Sequence, residues 1–96
     1  MKVAEVSDLN PGEGKTVFAD GIAIALFNVE GKFYAIDNTC KHKGGPLGEG
    51  FLDGNIVSCP LHGWMYDVTT GQGMTMPVQQ KKYNVKIEGQ DIFLEI

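Results

Sequence analysis

Two short stretches decide how this chain is read: Asn38-Thr39-Cys40-Lys41-His42-Lys43-Gly44-Gly45-Pro46-Leu47-Gly48-Glu49-Gly50 and Cys59-Pro60-Leu61-His62-Gly63-Trp64. Together they hold both cysteines and both histidines of the chain. Each supplies one thiol and one imidazole, as Cys-x-His in the first and Cys-x-x-His in the second. Neither shows the alternation of a strand or the 3.6-residue period of a helix, so both read as loops, about 38–50 and 59–66. Irregular loops carried on a rigid frame are where binding and chemistry tend to sit.

Outward from these loops the sequence is built of short strands. Lys2 to Val6 and Thr16 to Phe18 are β-prone. Ile22 to Val29 is a continuous apolar run of strand length, which suits a strand buried on both faces. Glu30-Gly31 reads as a hairpin turn into Lys32 to Asp37. Phe51-Leu52 and Ile56 to Cys59 flank a turn at Asp53-Gly54, and Trp64 to Val68 is a further short strand. Tyr83, Val85 and Ile87 alternate within Lys82 to Ile87. Gly89-Gln90 turns the chain into Ile92 to Ile96, where Ile92, Leu94 and Ile96 share a face. The apolar positions of both strands read as core. Ser7 to Gly14 has room for one helical turn at most. Many short strands joined by glycine-rich turns predict an all-β, antiparallel sandwich or small barrel. The turn at Asp53-Gly54 lets its flanking strands pair antiparallel and bring the two loops face to face.

Size and charge narrow the function. Ninety-six residues make one domain, 1–96. Eight lysines and no arginine stand against 12 acidic residues, for a net charge of −4. That is not the clustered basic surface that nucleic acid requires. The longest apolar run, Ile22 to Phe27, is far short of the roughly 20 residues of a membrane span. The N-terminus has no signal-peptide core. The expectation is a cytoplasmic protein without membrane or nucleic-acid partners. Asn10-Pro11-Gly12-Glu13-Gly14 contains a G-x-G but lies outside any βαβ unit, so it is a turn and not a nucleotide site.

Four readings of the cysteines and histidines compete: a [2Fe–2S] cluster with two thiolates on one iron and two imidazoles on the other; one tetrahedral Cys₂His₂ zinc ion; a Cys40–Cys59 disulfide; and four unconnected residues. Zinc fingers pair cysteine with cysteine and histidine with histidine. Here each half mixes the types, which favours the two-iron site. Nothing marks the chain as secreted, which weakens the disulfide.

Cys40-x-His42 with Gly45-Pro46-Leu47 and Gly50, then Cys59-Pro60-Leu61-His62-Gly63-Trp64 with Tyr66-Asp67 and Thr70-Gly71, resembles the paired motif of Rieske proteins. The resemblance implies a Rieske-like antiparallel β-sandwich with a small cluster-binding subdomain of two loops. It implies one [2Fe–2S] cluster, with Cys40 and Cys59 on the inner iron and His42 and His62 on the outer, electron-accepting one. The oxidised site is then neutral and gains one negative charge on reduction. Backbone N–H groups at Gly44, Gly45, Gly48 and Gly63 are placed to offset that charge. Pro46 resembles the proline that covers the cluster in this family. Tyr66 occupies the place of a tyrosine that bonds a cysteine sulfur, and also suits a core aromatic.

Departures from the quinol-oxidising members matter. Two further cysteines of those proteins correspond to Gly45 and Leu61, and a serine that bonds a sulfide corresponds to Trp64. Fewer donors to sulfur mean a potential in the lower half of the Rieske range of about −150 to +300 mV. Lys41 and Lys43 beside the first histidine are solvated charges that could also steer an acidic partner. With both histidines used, no two-His-one-carboxylate iron site is left, so the chain is not expected to catalyse a reaction alone. The resemblance points to a monomeric ferredoxin that docks transiently with a flavin-containing reductase and a terminal oxygenase, as in ring-hydroxylating dioxygenase systems. The small subunit of an NADH-dependent nitrite reductase, which shares the fold, is the alternative. A zinc-stabilised binding module is a third reading.

Overall fold

The computed structural model describes residues 1–41, 44–61, 63–74 and 76–95. The predicted ligands His42 and His62, together with Lys43 and Ile96, lie outside the described residues. Among the described residues the strands are β1 (Lys2–Glu5), β2 (Gly14–Ala19), β3 (Ile22–Val29), β4 (Lys32–Asp37), β5 (Phe51–Asp53), β6 (Ile56–Ser58), β7 (Met65–Asp67), β8 (Lys82–Glu88) and β9 (Asp91–Glu95). They form a six-stranded sheet in the order β1-β9-β8-β4-β3-β2 and a three-stranded sheet in the order β5-β6-β7. Every pairing in both is antiparallel.

The apolar run in β3 explains how the two sheets come together. Successive side chains of a strand point to opposite faces. Ile24 and Leu26 therefore enter one core, while Ala25 and Phe27 enter another. The first core also takes Ala4, Val17, Ala19, Ala35, Tyr83, Ile92 and Leu94. Those residues come from all six strands of the large sheet, so the sheet curls around a single interior. The second core sets Ala25, Phe27 and Ile36 against Val57 and Tyr66 of the small sheet, with Leu47 and both cysteines. The hairpin β3–β4 is thus a wall shared by the two cores. Each large side chain withdrawn from water there contributes about 1.5–3 kcal/mol.

The hairpin turn at Glu30-Gly31 forms as expected, with both residues in the left-handed region at φ +53° and +91°. That twist matches the right-handed twist of the strands it joins. Asp20-Gly21 makes a second turn of this kind, at φ +51° and +77°, between the closing pair Ala19 and Ile22. Asp-Gly is itself a sequence signal for such a turn.

Several expectations shift. The turn expected at Asp53-Gly54 is one residue later, because Asp53 pairs with Ile56 and leaves Gly54-Asn55 to reverse the chain. The single helical turn is a 3-10 turn at Val6–Asp8, whose ends are tied by the Glu5 N–H to the Asp8 carboxylate. A second 3-10 turn, Leu47–Glu49, lies inside the first loop, with Leu47 and Gly48 buried. Its apolar residue draws the loop onto the second core. Ile87, expected in the core, is 43% exposed. It sits where β8 approaches the hairpin end at Gly89-Gln90, beyond the reach of the closed interior.

Candidate metal centre

The two predicted loops are closed by the same pair of backbone hydrogen bonds. In the first, the Cys40 N–H donates to the Gly45 carbonyl, and the Cys40 carbonyl accepts from the Gly44 N–H, both at 2.9 Å. In the second, the Cys59 N–H donates to the Trp64 carbonyl at 2.8 Å, and the Cys59 carbonyl accepts from the Gly63 N–H at 3.0 Å. Each cysteine therefore opens a tight loop closed four residues later by a glycine in the left-handed region, Gly44 at φ +72° and Gly63 at φ +75°. A β-carbon at either position would strain that backbone. The two histidines fall within these loops in sequence, one residue before glycine in the second and two before it in the first.

Cys40 and Cys59 are brought together in the second core at 2% and 3% exposure. They are not joined in a disulfide, so that reading is set aside. Gly45 shows how closely the loops approach. A β-carbon there would lie 2.6 Å from Cys59 Sγ and 3.0 Å from Leu61 Cγ. Positions 45 and 61 are thus neighbours across the loops. Glycine at 45 is needed for space, since its backbone is not in the left-handed region.

Tyr66 is both things the sequence allowed. It is fully buried in the second core, and its Oη lies 3.4 Å from Cys40 Sγ. The Lys41 N–H donates to the same oxygen at 3.2 Å, which leaves the phenol proton for the sulfur. Burial, and then the cysteine contact, hold the phenol well above its ordinary pKa of 10. Either atom can donate across this contact while Cys40 is a thiol; against a thiolate the phenol proton is the donor.

The expectation for the N–H groups of Gly44, Gly48 and Gly63 is corrected. Those of Gly44 and Gly63 are committed to the loop bonds above. That of Gly48 donates to Asn38 Oδ1 at 2.8 Å. Gly48 is needed for packing: a β-carbon would meet the Lys15 carbonyl carbon at 2.6 Å, so the loop lies directly on β2. Pro46 pairs with Thr39 across the base of its own loop.

Sequence reasoning missed Asn38. It is buried, and its Oδ1 also accepts from Thr16 Oγ1 at 3.1 Å. Its carbonyl accepts from the Leu47 N–H at 2.7 Å. One side chain thus pins both ends of the first loop to the large sheet. An asparagine directly after a strand and two residues before a candidate ligand was the available signal.

The donor set suits a two-iron cluster better than a zinc finger. Two thiols converge from twin loops on one apolar wall, with a phenol proton directed at one sulfur. Residues 1–93 match the Rieske [2Fe-2S] domain family, and the chain belongs to it. The ferredoxin component of the naphthalene 1,2-dioxygenase system of Pseudomonas aeruginosa is 41% identical over 91 residues, covering 93% of this chain and 88% of that protein. The Sphingomonas yanoikuyae B1 ferredoxin superposes with a TM-score of 0.92 at 30% identity, over 100% of this chain and 97% of the other. The ferredoxin-like match in a complex of reduced oxygenase and oxidized ferredoxin of carbazole 1,9a-dioxygenase has a TM-score of 0.90 at 33% identity, over 98% and 90%. A structure described as a nitrite reductase NADPH small subunit, at 22% identity and a TM-score of 0.85 over 100% and 97%, shares the fold. Among the described residues, no helix is long and apolar enough to cross a membrane.

Proposed function

We propose that this chain is a one-electron carrier that binds one Rieske [2Fe–2S] cluster through Cys40, His42, Cys59 and His62, accepts an electron from a flavin-containing reductase and delivers it to a terminal oxygenase. The observation that carries the reading is the convergence of two buried cysteines, each opening a loop closed by the same backbone bonds and a left-handed glycine. When bound, the cluster supplies a reversible one-electron couple. The protein's own groups do the rest. Cys40 and Cys59 would hold one iron as thiolates, and their burial keeps water from the sulfurs. His42 and His62 would hold the other. Tyr66 keeps a proton directed at the Cys40 sulfur, where it offsets the charge gained on reduction. Gly45 lets the two loops close on each other.

The named relatives are ferredoxin components of dioxygenase systems, which favours a carrier over a catalyst. In this reading the chain works as a monomer in the cytoplasm and docks through small, transient contacts. With Gly45, Leu61 and Trp64 where the quinol-oxidising members have two cysteines and a serine, its potential lies in the lower half of the range from about −150 to +300 mV.

The test is metal and sulfide analysis of the purified protein together with EPR after dithionite reduction. About two irons per chain and a rhombic signal are expected. A colourless, EPR-silent protein with one zinc per chain would overturn the proposal. Reduction by a flavoprotein reductase and reoxidation by an oxygenase, followed by stopped-flow absorbance, tests the direction of transfer. A tightly held large subunit that never dissociates would place the chain in a fixed complex instead.

A further inference from the structure

We propose that Gln80 is a positioning residue for the first loop: its buried amide takes over the carbonyls of Asp37 and Thr39 where β4 leaves the sheet, and so fixes the path by which Cys40 reaches the metal. The inference rests on the cluster reading above. The ladder between β4 and β8 has only the pairs Ala35–Tyr83 and Ile36–Lys82, followed by the Asp37 N–H donating to the Lys81 carbonyl at 2.9 Å. Beyond that point the strand turns away towards Cys40. Gln80 Nε2 then donates to the Asp37 carbonyl at 3.1 Å and to the Thr39 carbonyl at 2.7 Å. Both protons of the amide are used, and the second bond ends on the residue that precedes Cys40.

The amide is held in this orientation at a cost. Gln80 is fully buried, and its Oε1 has no hydrogen-bond partner among the described residues. An acceptor withdrawn from water without a partner is destabilising. Turning the amide over would bring Oε1 against two carbonyl oxygens and leave both without donors. The unpaired oxygen is thus the consequence of serving two carbonyls at once. The backbone of Gln80 is fixed as well: its N–H donates to the Gly71 carbonyl at 2.8 Å, and its carbonyl accepts from Gln79 Nε2 at 3.1 Å. A side chain anchored in this way can hold the loop base rigidly against the sheet, as Asn38 does from the other side.

The experiment compares holoprotein of the wild type, Gln80→Met and Ile92→Val. Methionine keeps the length of the side chain and removes both donors. Ile92 lies in the other core and reports loss of stability alone. The readouts are the rate of iron release to excess chelator, well below the melting temperature, and the g values of the reduced cluster. For Gln80→Met we expect iron release at least tenfold faster than wild type and a shifted g tensor, with neither change in Ile92→Val. Gln80→Leu, which also removes both donors, serves if Gln80→Met does not fold. Wild-type release rates and g values in a folded Gln80 variant would overturn the proposal, whatever its melting temperature. So would the same changes in Ile92→Val. A wild-type protein without iron or signal would instead sink the cluster reading itself.

Discussion

Replacing Tyr66 by phenylalanine isolates a hydroxyl that meets the sulfur of Cys40, a proposed ligand. The ring stays in the second core, so no cavity larger than a hydroxyl is made. Two contacts are lost: the bond from the Lys41 N–H at 3.2 Å and the contact with Cys40 Sγ at 3.4 Å. The first is an ordinary hydrogen bond, with a net value of about 1 kcal/mol. In a domain of this length that lowers the melting temperature by roughly 4–8 °C. The second matters differently. A hydrogen bond to a charged acceptor contributes about 1.5–3 kcal/mol, and it strengthens as negative charge builds on the sulfur. If about 1 kcal/mol of it is present only after reduction, the potential falls by about 40 mV, since a tenfold change in a one-electron equilibrium is about 59 mV. Spectroelectrochemical titration of wild type and Tyr66→Phe at one pH measures this directly. An unchanged or raised potential in a variant that still loses stability would show that the phenol proton does not serve the sulfur, and the reasoning would fail.

Two further outcomes are expected. Gly45→Ala places a β-carbon 2.6 Å from Cys59 Sγ; it should cost about 1–3 kcal/mol of stability by overpacking and lower the iron bound per chain, measured by thermal melting and metal analysis. The Tyr83 phenol is pushed up to about 12 by burial and by its 2.6 Å bond to Asp37. The unfolded chain therefore releases this proton first as pH rises, so its contribution to stability is whole below about pH 10 and lost towards pH 12. Tyr83→Phe should flatten that alkaline decline in chemical denaturation curves, and an identical pH profile would contradict it.

The candidate site was legible because ligand chemistry is local. Cysteine and histidine at Cys-x-His and Cys-x-x-His spacing, followed by glycine, describe loops whose closure is set within five or six residues. The long apolar run of β3 was legible for the same kind of reason, since only a strand with a core on each face tolerates Ile24 to Phe27 in succession. What could not be read were the roles that depend on a partner distant in sequence. The N–H groups of Gly44, Gly48 and Gly63 looked available for the cluster until the fold gave them to Cys40, Asn38 and Cys59. Ile87 fits the core pattern by alternation, yet the interior ends before it.

By itself, then, the sequence determined the class of fold, the two cysteine loops and the family they mark, because strand periodicity, turn residues and motif spacing act over a few neighbouring residues. Only the tertiary structure decided that Tyr66 meets Cys40, that Gly45 must lack a β-carbon, and that Asn38 and Gln80 hold the first loop from either side. Each of these pairs residues from separate strands or loops, and burial alone fixes which polar group finds which partner.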